Sequence, residues 1–209
     1  MCGRFVLLTD LSVVAEAFDI QQIASEYRPG NNISPGRKIV AVVRQDNQNI
    51  LVSFRWGLIP SWAQDPSIGN RMFNARAETI TEKPSFRDAF NKRRCLIIAD
   101  GFYEWQKREK IKKPYCFRLK SGRPFGLAGL YERWISPDNQ QISTCTIITT
   151  QPNELVKPIH DRMPVILEKK EERLWLDPNT RDRDLLLSML KPYAAQNMEV
   201  SEAGALRKD

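Results

Sequence analysis

Apolar positions in this chain fall mostly into short runs with a two-residue alternation, and only a few stretches carry the three-to-four spacing of a helix. The apolar start predicts a short first strand. Asp10 then stands where it can cap a helix whose Leu11, Val14, Ala15 and Phe18 share one face. Residues 27–37 are rich in Pro, Gly and Asn and predict a loop. Two strand-like runs follow, 38–44 and 49–56, joined by a polar turn at 45–48. In the second, Ile50, Val52, Phe54 and Trp56 alternate with Leu51, Ser53 and Arg55, the pattern of a half-buried strand.

Residues 57–82 have no clear period and form a long irregular stretch of the kind that carries function. Beyond it the pattern predicts a short helix at 84–90 and a strand at 95–99. A turn at Asp100-Gly101 leads to strands at 102–106, 115–119, 125–134 and 143–149. Turns are expected at Ser121-Gly122 and at 137–139. A Pro-bounded segment at 152–158 precedes a short strand at 164–167 and helices at 169–176 and 181–190. No repeat, low-complexity linker or boundary interrupts residues 1–209, so the pattern predicts one α+β domain. Its sheet is expected to be mostly antiparallel and barrel-like, with short flanking helices and a peripheral tail after about residue 198.

Composition narrows this picture. At 209 residues, 42% hydrophobic and 27% charged, the chain is long enough to bury a core and is neither disordered nor fibrous. A net charge of +7 favours an anionic partner, and its distribution is uneven. The span 87–123 holds 12 basic and 4 acidic residues, which gives it +8 and leaves −1 for the remainder. Charge alone fits a solvated loop around Lys107 to Lys113 as well as a nucleic-acid surface. Four cysteines (Cys2, Cys95, Cys116, Cys145) without a C-x-x-C, and a single histidine, His160, give no metal spacing, so neither a metal nor another cofactor is expected. No apolar run reaches membrane-helix length, and Cys2 occupies the position where myristoylation needs Gly. A monomer in a reducing cytoplasm, with free thiols and no membrane contact, is the expectation.

The chemistry starts at the second residue. If Met1 is removed, Cys2 carries both a thiol and the free α-amine, with reference pKa values of about 8.5 and 7.7–8.0. Such a 1,2-aminothiol condenses with an aldehyde through a Schiff base and then closes a five-membered thiazolidine ring. Position alone also fits an ordinary buried cysteine at the start of a strand. Glu104 lies among aromatic residues in Gly101-Phe102-Tyr103-Glu104-Trp105, where desolvation raises a carboxylate's pKa into a range useful for proton transfer. His160 lies between two prolines beside Asp161 and Arg162, charged residues able to orient its ring. Asn74 and Arg76 fall on one side of an extended segment and offer an amide and a guanidinium to an anionic or carbonyl ligand. In Trp56-Gly57-Leu58-Ile59-Pro60-Ser61-Trp62, a Gly/Pro-rich turn can expose one Trp and bury the other, as a base-stacking surface requires.

Six blocks in order resemble the SOS response-associated peptidase (SRAP) family. They are Met1-Cys2-Gly3-Arg4-Phe5, the Trp56–Trp62 block, Phe73-Asn74-Ala75-Arg76-Ala77-Glu78, the block from Cys95 to Trp105, Phe125-Gly126-Leu127-Ala128-Gly129-Leu130-Tyr131 and His160-Asp161-Arg162-Met163-Pro164. The resemblance implies covalent capture of abasic sites in single-stranded DNA through Cys2. It further implies that Asn74 orients the sugar, and that Glu104 and His160 support ring opening, Schiff-base formation and strand cleavage by β-elimination. Arg4 and Arg76 are implied as phosphate contacts, Arg162 as a further DNA-binding residue, and Trp62 as a wedge or stacking ring.

Two other classes compete. An amino-terminal cysteine also opens amidotransferases, but the Asn-Gly pair that they use is absent, and a peptidase limited to removal of Met1 is left. A non-covalent single-strand binding module is the second alternative.

Overall fold

The computed structural model describes residues 2–108 and 111–204. Met1, whose removal was expected, Glu109 and Lys110 of the basic segment, and tail residues 205–209 lie outside the described residues. In chain order the elements are β1 (Phe5–Leu7), α1 (Leu11–Ala17), β2 (Ile20–Ile23), β3 (Gly30–Ile33), β4 (Lys38–Gln45), β5 (Gln48–Trp56), β6 (Asn74–Arg76), α2 (Pro84–Lys92) and β7 (Arg94–Ala99). They continue with β8 (Gly101–Arg108), β9 (Ile111–Leu119), β10 (Phe125–Ile135), β11 (Gln141–Thr150), β12 (Met163–Pro164), α3 (Lys169–Leu176), α4 (Arg183–Ser188) and β13 (Met198–Glu202).

The larger sheet runs β12-β11-β10-β7-β4-β5-β2, and it closes on itself. Neighbours β5, β4, β7, β10 and β11 pair antiparallel in turn, and β11 then pairs parallel with β5 at Thr144↔Arg55 and Cys145↔Trp56. The result is the expected α+β domain, built on a closed five-stranded barrel with short helices around it. The smaller sheet, β13-β9-β8-β1-β3, supplies the chain start. Phe5 of β1 meets Trp56 of β5 with ring centroids 5.3 Å apart, so the two sheets share one apolar core.

Local chemistry explains several joints. The β4–β5 hairpin turns at Asp46 and Asn47, both with positive φ (50° and 61°), as a type I′ turn requires and Asn and Asp tolerate. Asp182 accepts the Leu185 N–H and starts α4 two residues later than expected. Buried Arg94 donates to five main-chain carbonyls, those of Phe90, Asn91, Trp175, Asp177 and Thr180, and so joins the ends of α2 and α3.

Elsewhere the pattern misleads. Asp10 stands at the start of α1 but its side chain makes no capping bond, and among that helix's residues only Val14 is buried. In β5 the buried positions are Asn49 and Leu51, then Phe54 and Trp56, so the inward face changes phase mid-strand where the neighbour on one side changes from β2 to β11. The 27–37 loop contains β3, and β2 was not expected. Both are short, polar edge strands held by backbone bonds to β1 and β5 and carry no hydrophobic alternation. The tail after about residue 198 contributes β13, a strand at the edge of the smaller sheet, paired to β9, that buries Met198.

Candidate active site

Cys2 leads directly into β1, which is registered on β8 by Phe5↔Phe102 and Val6↔Gly101 and by the Tyr103 N–H donating to the Arg4 carbonyl at 2.9 Å. Its side chain is fully buried. Burial first, and the charge of nearby Glu104 second, push the thiol well above its ordinary pKa, while the Arg4 backbone N–H that reaches the sulfur favours the thiolate. Alternation along β8 puts Glu104 on the same inward side as Phe102, opposite Tyr103. Glu104 is 2% exposed. Burial raises its carboxyl from 4.5 to about 8, and Asp161 adds to the rise.

His160 comes to Glu104 from a separate turn. That turn is held by Asn153, whose Oδ1 accepts the N–H groups of Leu155 and Val156, and the His160 N–H donates back to Val156. Gln106 of β8 ties the same turn down by donating to the Pro158 carbonyl at 3.0 Å. The imidazole Nε2 stands 3.6 Å from Glu104 Oε2, one small adjustment beyond hydrogen-bond reach. Nδ1 accepts the Arg162 N–H at 3.1 Å and lies 2.9 Å from Asp161 Oδ1. A neutral ring therefore carries its proton on Nε2, facing Glu104, whereas a protonated ring can also donate to Asp161.

Asn74 opens β6, paired to β11 at Ile147. Its Nδ2 donates to the Phe73 carbonyl at 2.9 Å and is 3.5 Å from that of Ile147. This leaves Oδ1 buried with no hydrogen-bond partner among the described residues. The sequence reading has Asn74 offering an amide donor, but the open atom is an acceptor, suited to a hydroxyl or ammonium group. The Asn74 strand reaches the Cys2 strand through aromatic contacts. Trp56 donates Nε1–H to the Phe73 carbonyl, meets the Phe73 ring edge-on at 6.2 Å and packs on Phe5.

The expected surface residues divide. Trp62 is 59% exposed while Trp56 is buried. Arg76 is exposed, and Arg4 is half-buried with Nη1 donating to Asn32 Oδ1 at 2.8 Å. Arg162, a DNA-binding residue by resemblance, is buried. Its two Nη atoms grip Glu78 at 2.6 and 2.9 Å, and Nη2 also donates to the Thr149 carbonyl. A desolvated guanidinium finds its counter-charge within the fold, so Arg162 joins the His160 turn to the end of β6. Sequence reasoning missed Glu78 and Asn153 as supports. Pro152-Asn153 after a strand was the available signal for the Asx turn. No group of three or more His, Cys, Asp or Glu is placed to hold a metal among the described residues, and none of their helices is long and apolar enough to cross a membrane.

A sequence profile described as SOS response associated peptidase (SRAP) matches residues 1–205. The chain belongs to the SRAP family. Among SRAP relatives, abasic site processing protein YoqW of Bacillus subtilis is 48% identical over 209 residues, 99% of this chain and 93% of the relative. Abasic site processing protein HMCES of Gallus gallus is 33% identical over 183 residues, 72% of this chain and 54% of the relative. A Bacteroides thetaiotaomicron protein of known crystal structure superposes with a TM-score of 0.89 at 30% identity, covering 96% of this chain and 91% of that one. The SRAP fold in this chain thus brings Cys2, Glu104 and His160 together from three segments distant in sequence.

Proposed function

We propose that the chain processes abasic sites in single-stranded DNA, capturing the ring-opened sugar aldehyde on Cys2 as a thiazolidine and so shielding the lesion. The observation that carries this reading is a buried amino-terminal cysteine beside a carboxyl held protonated near neutral pH, with an imidazole 3.6 Å from it. The names of the relatives agree with it.

Removal of Met1, by self-processing peptidase activity or by another enzyme, leaves the α-amine on Cys2. The amine adds to the sugar C1′ aldehyde, and loss of water gives an imine. Sγ then adds to C1′, its proton passes to nitrogen, and the ring closes with water as the sole product. A thiol held protonated by burial puts the amine first and the sulfur second. Glu104, still protonated at pH 7, donates to the sugar ring oxygen on opening and regains a proton from the C1′ hydroxyl; it then protonates the departing hydroxyl, regains a proton from the iminium nitrogen, and on closure relays the thiol proton to that nitrogen. His160 exchanges protons with Glu104. The same pair can draw the proton for β-elimination, a lyase side path.

An abasic site offers no base to read. Affinity is therefore assigned to phosphates at Arg4 and Arg76 and to a neighbouring base on Trp62, and selectivity to the covalent step. All these residues come from one chain, which suits a monomer acting on nucleoid DNA in the cytoplasm. The test is incubation with a single-stranded abasic oligonucleotide, followed by denaturing electrophoresis and intact-mass measurement. The expected result is an adduct lighter by one water than the sum of mature protein and DNA, absent in Cys2→Ala, which keeps salt-sensitive binding. An adduct formed by Cys2→Ala overturns the assignment.

A further inference from the structure

Strands β5 and β11 pair only at Arg55–Trp56 and Thr144–Cys145. Earlier along β5 its free edge is taken by β2 instead, so the seam of the barrel parts. A cavity of about 1050 Å³ opens there, lined by β4, β5, β10, β11 and the residues just before β7. Its wall runs along β5 from Ile50 to Phe54, which stands two residues of strand, roughly 7 Å at about 3.3 Å per residue, before Trp56, and it includes none of Cys2, Asn74, Glu104 or His160.

The lining joins two kinds of surface. Phe54 and Tyr131 stack in the wall with ring centroids 5.0 Å apart and planes 11° from parallel, next to Ile50 and Val52. Around them stand four cations, Arg44, Lys92, Arg93 and Arg133, against two acids, Asp46 and Glu132. Glu132 is already taken, since Arg93 Nη2 lies 2.6 Å from its carboxylate. Arg93 Nε is buried and has no hydrogen-bond partner among the described residues. A buried guanidinium N–H left open is unfavourable until a ligand or water completes it. Half-buried Arg44 is steadied by Asn49, which accepts from its Nη1 at 3.2 Å. Guanidinium groups bind phosphate oxygens in pairs, and an aromatic wall receives a planar ring.

We infer that this cleft is a second binding site, separate from the Cys2 site, for a nucleotide unit: its base against the Tyr131 ring, which buried Phe54 backs, and its phosphate at Arg93 and Arg133. The unit is either a free mononucleotide or one residue of a bound strand. The inference stands on the cleft alone and does not depend on the covalent chemistry at Cys2.

Calorimetric titration of the full chain with 2′-deoxyadenosine 5′-monophosphate, inorganic phosphate and an undamaged oligothymidylate tests it. Saturable mononucleotide binding is expected, tighter than phosphate and weakened at least tenfold by Arg133→Glu at the exposed rim. It should be unchanged by Trp62→Ala and Arg76→Ala. Loss of oligonucleotide affinity in Arg133→Glu assigns the site to a strand, and loss confined to the mononucleotide assigns it to the free ligand. Should circular dichroism find Arg133→Glu unfolded, Arg44→Gln takes its place with the same expectation. No saturation by either nucleotide ligand, phosphate binding as tight as nucleotide, or binding lost in Trp62→Ala but not in the cleft variants overturns the proposal.

Discussion

Glu104 sits in surroundings far from what its carboxylate prefers in water, and that departure can be read out in two ways. With its pKa raised from 4.5 to about 8, the native state holds a proton that the unfolded chain has lost across that window. The stabilising effect of the raised pKa is whole below pH 4.5 and is lost as pH rises toward 8. Glu104→Gln, neutral throughout, is expected to be the more stable form at pH 8.5. The difference should be about 2 kcal/mol, or roughly 4–8 °C in Tm, and should shrink toward pH 5, as thermal denaturation at the two pH values would register. The same substitution removes the acid, so adduct formation at pH 7 should slow roughly 100-fold, within the usual range for a lost general acid. Asn74 gives a second residue-level expectation. Its Nδ2 faces the carbonyls of Phe73 and Ile147, so Asn74→Asp turns a carboxylate oxygen against two acceptors. Both Asn74→Asp and Asn74→Ala should lower the single-turnover capture rate, the first through this repulsion and the second by removing Oδ1, and an unchanged rate in Asn74→Ala would leave Oδ1 without a part in capture. Cys2, Glu104, His160 and Asn74 were all legible as reactive residue types in suggestive neighbourhoods. That Asn74 presents an acceptor was not, because its donors are used by carbonyls supplied in part from β11.

At the scale of elements, the excursion between β5 and β6 sets where Trp62 stands. Gly57 leaves β5 with φ of +133°, and a Cβ there would come 2.4 Å from the Gly69 carbonyl oxygen. Two backbones therefore touch at the neck of the loop, which is closed further by the Gly57 N–H to Cys145, the Leu58 N–H to Met72 and the Ile59 N–H to Thr144 Oγ1. Trp134 holds the loop from beneath by donating to the Ala63 carbonyl. Gly57→Ala is expected to cost roughly 2–5 kcal/mol by chemical denaturation. Trp62→Ala at the exposed tip should leave stability unchanged while weakening single-strand binding by about 1–3 kcal/mol in a fluorescence-anisotropy titration. Hairpin β4–β5, strands β7 to β11 and helix α3 follow directly from apolar period and turn chemistry, and α3 matches the expected 169–176. Strands β2, β3, β6 and β13 do not. They are edge pieces of three to five residues, too short for an apolar period to mark them, and a neighbour's open backbone makes them strands.

For the molecule as a whole, the barrel and the helices depend on a few buried polar ties. Arg94 is 5% exposed and satisfies five carbonyls at once, and burial lowers its pKa. Arg94→Met should lower stability by about 3–5 kcal/mol, roughly 10 °C in Tm, because carbonyls at the ends of α2 and α3 lose their donor inside the protein. The positive span 87–123 proves to be divided among different tasks. Arg94 is a buried brace, Arg93 and Lys92 border the seam cleft, and Lys113 pairs with Glu202 at 2.7 Å. A net charge read along the chain is thus distributed over separate surfaces in space.

The sequence by itself determined the class of fold and the reactive groups. Hydrophobic period and turn residues are local properties, and an amino-terminal cysteine has its chemistry wherever the chain places it. Tertiary structure alone decided what those groups are poised to do. Closure of the barrel through a parallel β5–β11 contact, burial of Glu104 against the Cys2 strand, and the turn of His160 toward it all join segments far apart in sequence. The raised pKa of Glu104 and the pairing of Arg162 with Glu78 follow from exclusion of water and from which charge lies nearest, and both are properties of the packed molecule.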